Sequence, residues 1–386
     1  MRIVYCLNQL NRIGGTERVT VMKANELAKL PGNEVYVIVA NNEGDKIPFV
    51  LSPDVHFINM RIYDSTDWNH QLPAILNYLN YWRKKKHHKA RYECLLKELS
   101  PDVVISTGGL EEHMIVTMSD RKWKLIREFH TEKNFFAKRS KSFTRKTMTK
   151  LFSLFEEQFT LKRYDRVVIL SKGDLNENWS TWKNAVVLPN PVSFKCESPS
   201  TLTEKCVVSI GRLDHMKNYG SLINVFRVVS EKHPDWRLEI YGDGSEMPML
   251  QEQVSRLGLQ SVVFLKGFIG DVQAVLKKSS IFAFTSLSEG FGVSLVEAME
   301  CGLPVVSYDC PYGPREIITE GEDGYLIPVG DEQLMANRIC ELIENPEKLY
   351  RMGKCAKEKA QCYQVETIIQ KWCDLFSELL QEGRCH

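Results

Sequence analysis

Short apolar runs alternate with segments of helical periodicity through both halves of the chain. In the first half the runs are Ile3–Leu7, Val35–Val39, Val103–Ser106, Leu125–Phe129 and Val167–Leu170. In the second they are Val207–Ile210, Leu238–Tyr241, Val262–Leu265, Ile281–Phe284 and Val305–Ser307. Runs this short and this apolar fit strands buried on both faces, and the helical segments between them supply the crossovers that parallel strands need. The expected class is α/β, with two Rossmann-like, doubly wound parallel-sheet domains. Their functional loops would lie at the carboxyl ends of the strands and face a central cleft. At 386 residues, 43% of them hydrophobic, the chain is long enough to fill two cores.

The break falls at Leu188–Val192, L-P-N-P-V, where two prolines prevent a helix or a central strand. An N-terminal domain over residues 1–190 and a second over 191–364 follow, with the polar stretch Lys195–Lys205 as a linker. Residues 365–386 read as a closing helix docked on a domain surface, because Ile368, Ile369, Trp372, Leu375, Phe376 and Leu379 recur at helical spacing. No apolar run approaches the ~20 residues of a bilayer span. The start, M-R-I-V-Y-C-L-N-Q-L, reads as a first strand rather than a signal peptide. Eleven cysteines are scattered without a C-x-x-C pair or zinc-like spacing, and so read as reduced core thiols of a cytosolic protein.

Net charge is +1 but unevenly distributed. Residues 1–190 carry 30 Lys and Arg against 21 Asp and Glu, and the remainder 20 against 28, so the halves stand at +9 and −8. The first half is the one suited to an anionic partner or surface. Residues 121–150 hold 11 Lys and Arg against two acidic residues, interleaved with Phe135, Phe136, Phe143 and Met148. A second basic run, R-K-K-K-H-H-K, spans Arg83–Lys89. Such a mixture suits an anionic bilayer surface, cradles nucleic acid equally well, or forms a solvated face.

Ligand-directed chemistry concentrates in Ser286–Glu297, S-L-S-E-G-F-G-V-S-L-V-E, where two glutamates eight positions apart flank a glycine-bracketed turn. Glu289 on the loop can accept hydrogen bonds from a polyol. Gly290 and Gly292 let backbone approach a ligand, and a helix beginning near Phe291 offers unpaired N–H groups to an anion. Glu297, about two turns on, is placed to chelate a cis-diol such as ribose O2 and O3. An anion between two polyols describes a sugar nucleotide; a glycine-capped loop with solvated glutamates is the plain alternative. After Val207–Ile210 comes G-R-L-D-H-M-K-N, in which Arg212 and Lys217 pair a forked and a point-like cation, as a diphosphate clamp requires. Surface cations without a ligand are the alternative there.

Weaker signals surround these. Gly14-Gly15 lies where the first strand must turn into a helix, exposing N–H groups to phosphate or forming only a tight turn. Tyr241–Glu246 and Phe264–Gly270 close strands with glycines, and the backbone at Phe268 and Ile269 is placed to read a base edge. Glu316, at an apparent helix start, reads as a cap or anchor. His130, ending a strand-like run, contacts a sugar or acceptor, or is a satisfied core histidine.

Taken together these residues resemble family 4 of the retaining, nucleotide-sugar-dependent glycosyltransferases, of GT-B fold. The likeness rests on G-G-T-E-R after the first strand, G-R-L-D-x-x-K-N, I-Y-G-D-G-S-E, S-E-G-F-G-V-S-L-V-E, E-A-M-E-C-G-L-P-V-V, G-P-R-E-I-I and G-E-D-G-Y-L-I-P-V. It implies an acceptor bound mainly by the first domain and a sugar nucleotide mainly by the second. Arg212 and Lys217 would hold the diphosphate, with the Gly15 N–H helping from the opposite domain. Glu297 would take the ribose diol, and Glu289 with the N–H groups of Phe291 and Gly292 the donor sugar, while His130 matches a histidine beside that sugar.

The resemblance further implies retention of configuration, a leaving-group oxygen as base, and neither cofactor nor metal; no D-x-D cluster is present. D-C-P-Y-G-P-R-E-I-I resembles members that add hexoses or N-acetylhexosamines from UDP-sugars to polysaccharide or lipid-linked precursors. With the basic first half, this suggests an undecaprenyl-diphosphate-linked saccharide acceptor and a peripheral protein at the cytoplasmic membrane face, not a nucleic-acid binder. A sugar-nucleotide epimerase on the related two-domain fold and a non-catalytic basic binding module are the competing expectations.

Overall fold

The computed structural model describes residues 1–11, 14–42, 47–62, 74–108, 111–118, 121–131 and 159–382, with backbone alone for 74–85. The basic and aromatic tract from 132 to 150 lies outside the described residues, as do Arg83, Lys84 and Lys85 beyond their helical backbone. The chain divides into two compact units. One comprises Met1–Ile169, Glu177–Leu188 and Ile369–His386, the other Leu170–Asn176 and Pro189–Ile368.

The first unit is built on a parallel sheet of β1 (Arg2–Leu7), β2 (Glu34–Val39), β3 (Val55–Asn59), β4 (Val103–Ser106), β5 (Lys124–Glu128), β6 (Arg166–Ile169) and β7 (Ala185–Val187). Its order is β3-β2-β1-β4-β5-β6-β7. The central strands are buried along almost their whole length, as their unbroken apolar runs require. The three strands the sequence did not announce, β3, β7 and Gly324–Ile327 of the second unit, are sheet edges. Each has one neighbour, and β3, V-H-F-I-N, is broken by His56 and Asn59 rather than running apolar.

The second unit holds β8 (Cys206–Ile210), β9 (Arg237–Tyr241), β10 (Val263–Gly267), β11 (Ile281–Phe284), β12 (Val305–Tyr308) and β13 (Gly324–Ile327), ordered β10-β9-β8-β11-β12-β13 and parallel throughout. The helix Tyr219–Lys232 buries Leu222, Ile223, Val225, Phe226 and Val229 in one core. The helix Val293–Glu300 buries Leu295, Val296, Ala298 and Met299 in another.

Two expectations need correction. The stretch 195–205 is not a free linker, because it is stitched to the second unit. The Cys196 N–H donates to Glu300 Oε1 at 2.8 Å and the Ser200 N–H to the Cys301 carbonyl at 2.8 Å. Nor are the cysteines all core thiols: those described are free, but Cys94 and Cys362 are exposed.

The closing helix runs Val365–Glu382, and from Ile369 onward it is part of the first unit, where Trp372, Phe376 and Leu379 are buried. Among the described residues no helix is long and apolar enough to cross a membrane.

Candidate functional site

In the second sheet the strand order reverses between β8 and β11, so their carboxyl ends open the crevice in which doubly wound sheets take ligands. The loops leaving these two strands carry the residues singled out in the sequence. They are tied together by Leu287 N–H to the Met216 carbonyl at 2.8 Å and by the Thr285 hydroxyl to the Lys217 carbonyl at 3.0 Å.

Asp214 organises the first loop. One carboxylate oxygen accepts the Arg212 Nε–H at 2.7 Å, and the other accepts the backbone N–H groups of Met216 and Lys217 at 3.1 and 3.3 Å. Asp214 is buried while the Arg212 side chain is 64% exposed, so the guanidinium is aimed outward by a fixed carboxylate. Asn218, with φ of 53°, turns the chain into the helix Tyr219–Lys232. The sequence reading passed over Asp214, although an aspartate two and three residues before the N–H groups it bonds is a standard turn signal.

Lys217 Nζ donates to Glu289 Oε1 and lies 5.2 Å from the centroid of the Phe284 ring. The diphosphate candidate and the sugar candidate are therefore in contact. Glu289 is held from behind by its own N–H to the Pro311 carbonyl at 2.9 Å and by the Tyr312 N–H to its carbonyl at 3.3 Å. The second loop ends at Gly292, whose φ of 96° suits glycine, so the helix starts at Val293 rather than near Phe291. A Cβ at Gly292 would also meet Leu295 Cδ1 at 3.0 Å. Gly290 lies within this loop, and Phe291 is buried in the adjoining core.

Glu297 sits inward on the helix Val293–Glu300, 2% exposed, with Oε1 accepting the Ser193 hydroxyl. Ser193 is a partner no motif announced. Glu316 anchors rather than caps, taking the Gly173 N–H on Oε1 at 2.8 Å. Phe268, 58% exposed, and the half-buried Ile269 follow β10, two strands from the reversal.

In the first unit, Gly14 precedes the helix Gly15–Ala28 in an extended conformation, φ −124°, that any residue adopts. The Glu17 carboxylate lies where a Cβ of Gly14 would stand, so this helix start already faces an anion. Nothing lies within 4 Å of the position a Gly15 Cβ would take.

His130 follows β5 with its side chain 6% exposed and Nε2 3.5 Å from Glu128 Oε1. Neither ring nitrogen makes a hydrogen bond among the described residues. Burial lowers the imidazole to about 4, with Glu128 opposing and Lys23 and Arg127 adding to the shift, which leaves it uncharged at neutral pH.

Residues 194–359 match the family model described as glycosyl transferases group 1. An uncharacterized glycosyltransferase of Haemophilus influenzae is 26% identical over 378 residues, covering 96% of this chain and 98% of that protein. The poly(ribitol-phosphate) alpha-N-acetylglucosaminyltransferase of Staphylococcus aureus is 34% identical over 219 residues, 56% of this chain and 43% of that protein. Among solved structures, S. aureus TarM in complex with fondaparinux, alpha-GlcNAc-glycerol and UDP aligns with a TM-score of 0.78 at 17% identity, over 97% of this chain and 99% of that one. Two all-parallel sheets with those loop motifs, a family match across the second unit and a full-length structural likeness agree: residues 194–359 match the glycosyl transferases group 1 family model within a chain of GT-B fold.

Proposed function

We propose that the chain moves a hexose or N-acetylhexosamine from a UDP-sugar to a saccharide acceptor with retention of configuration, in bacterial surface-polysaccharide synthesis. One observation carries this. At the reversal point of the second sheet, Lys217 contacts the carboxylate of Glu289, Arg212 leaves the same loop as Lys217 on the Asp214 carboxylate, and the loop of Glu289 runs into the helix Val293–Glu300. That set of two cations, a helix N-terminus and a diol-binding group suits a diphosphate joined to a sugar.

The chemistry follows from charge. The bond from the anomeric carbon to the β-phosphate oxygen breaks as Arg212, Lys217 and the helix dipole take up the negative charge of the departing diphosphate. The acceptor hydroxyl oxygen forms the new bond on the same face, and its proton passes to a diphosphate oxygen. No protein base or metal enters these steps. Glu289 and the N–H groups of Phe291 and Gly292 orient the donor sugar, Glu297 takes the ribose diol, and the backbone at Phe268 and Ile269 meets the base. In the first unit His130, uncharged at neutral pH, matches a histidine beside the donor sugar.

The likeness to a poly(ribitol-phosphate) alpha-N-acetylglucosaminyltransferase supports a saccharide or polyol-phosphate acceptor, and the +9 first half supports one presented on a lipid diphosphate at the cytoplasmic face. Incubation of UDP-glucose, UDP-galactose, UDP-GlcNAc and UDP-GalNAc with and without a saccharide acceptor tests the proposal. Acceptor-dependent release of UDP with an α-linked product supports it. Conversion of a donor to its epimer without acceptor refutes it.

A further inference from the structure

The segment Tyr241–Glu246, Y-G-D-G-S-E, leaves β9 beside the loop that carries Arg212 and takes no part in the proposed steps. The two loops are joined backbone to backbone. The Gly211 N–H donates to the Tyr241 carbonyl at 3.0 Å, and the Leu213 N–H to the Asp243 carbonyl at 2.9 Å. From the far side, the Glu246 N–H donates to the Leu213 carbonyl at 3.1 Å. Arg212 therefore lies between two residues that are both held by the neighbouring loop. Leu213 is also fully buried in the core of the second unit.

Two glycines let the loops come this close. A Cβ on Gly242 would stand on the Gly211 carbonyl oxygen. A Cβ on Gly244 would stand on the Leu213 carbonyl, 2.8 Å from the Leu213 nitrogen. Both obstacles are backbone, which has no rotamer through which to give way. Gly242, with φ of 142°, also holds a conformation that side chains rarely adopt. Gly244 has no left-handed φ, so space alone demands glycine there. Glycines two apart on one loop thus face residues two apart on the other, and Arg212 is the residue they bracket.

The side chain of Arg212 is largely exposed, and its Nε–H is bonded to the buried Asp214 carboxylate. An exposed arginine free to wander gives up rotamer freedom when it meets an anion; one held in this way gives up less.

We infer that Gly242 and Gly244 are positioning residues for Arg212, fixing the backbone on either side of it so that the guanidinium is aimed before an anion arrives. The identity of that anion, a UDP diphosphate, rests on the proposed sugar transfer, whereas the aim of the side chain is measured without it. In the full chain labelled with 15N-arginine, the Arg212 Nε–H signal, assigned by its loss in Arg212→Lys, should exchange slowly with solvent when no ligand is present. Gly244→Ala should speed that exchange by about fivefold or more. In calorimetric titrations with EDTA present, Gly244→Ala should weaken UDP binding about fivefold or more in the wild-type background, but about twofold or less in Arg212→Ala.

Equal losses in the two backgrounds overturn the inference and leave Gly244 a structural role only. So does an unchanged UDP affinity in Gly244→Ala, or an Arg212 signal that exchanges equally fast with and without the substitution. If Gly244→Ala does not fold, amide exchange in the ligand-free wild type decides: the Gly211 and Leu213 N–H groups should be as protected as those of β8, and unprotected ones overturn the inference. If the wild-type chain takes up no UDP, the donor reading fails, and the Arg212 exchange alone decides whether the glycines position it.

Discussion

Removing the Lys217 ammonium tests two roles of one atom, because Nζ contacts Glu289 in the free protein and would face the diphosphate during transfer. The side chains are 21% and 14% exposed, between the surface and the interior. Exposed pairs contribute about 0–1 kcal/mol, and breaking buried ones costs about 3–5 kcal/mol. Half-burial puts the coupling between Lys217 and Glu289 at about 1–2 kcal/mol. Lys217→Met, which keeps the stem over Phe284 but leaves Glu289 alone, should destabilise the second unit by about 2 kcal/mol. That is a fall of about 4–8 °C in its calorimetric midpoint for a unit of this size. Glu289→Gln added to it should cost less than the sum of the two single changes by the coupling energy. In transfer assays Lys217→Met should reduce kcat by about 10²–10³, the effect of losing one group that meets developing charge, with a smaller change in KM. Additive single and double variants would refute the contact. An unchanged kcat would refute the catalytic role, whatever the stability data show.

Three further outcomes follow. The folded-state value of His130 is lowered from 6.5 to about 4, so the unfolded chain binds the extra proton between those pH values and stability falls as pH drops through that window. About 2 kcal/mol should be lost by pH 5 relative to pH 7.5, and the fall in urea-unfolding free energy between those pH values should be smaller by that amount in His130→Gln. Trp372→Ala removes a fully buried indole from beside Lys23 and should cost the first unit about 3–5 kcal/mol, read as a fall in its unfolding midpoint. The protein should co-sediment with anionic liposomes at 0.02 M salt and release at 0.5 M; sedimentation that ignores salt would remove the electrostatic part of the membrane proposal.

Much of the fold was legible because central parallel strands must be apolar on both faces, which marks β1, β4, β8 and β11 as short uninterrupted runs. Edge strands lack that constraint. β3 is broken by His56 and Asn59, β7 has three residues and β13 opens on Gly324, so their residues carry little to separate them from loop. The candidate site was legible where local chemistry is unusual, as at Arg212, Lys217, Glu289 and Gly292, which fall on the two loops leaving β8 and β11. It was opaque where partners are distant in sequence. Ser193 meets Glu297 across 104 residues, and Lys23 meets Glu128 across 105, and no local pattern announces either. The C-terminal helix was visible by its periodicity, yet its place in the first unit was not, because there Trp372 covers a lysine that the sequence alone makes look solvated.

Calorimetric titration of UDP into the wild-type protein, with EDTA present, tests the donor site most directly. The account predicts micromolar to sub-millimolar binding, weakened at least tenfold by Arg212→Ala and by Lys217→Ala, about 1.4 kcal/mol or more in each case. A wild-type protein that takes up no UDP at millimolar concentration would contradict it.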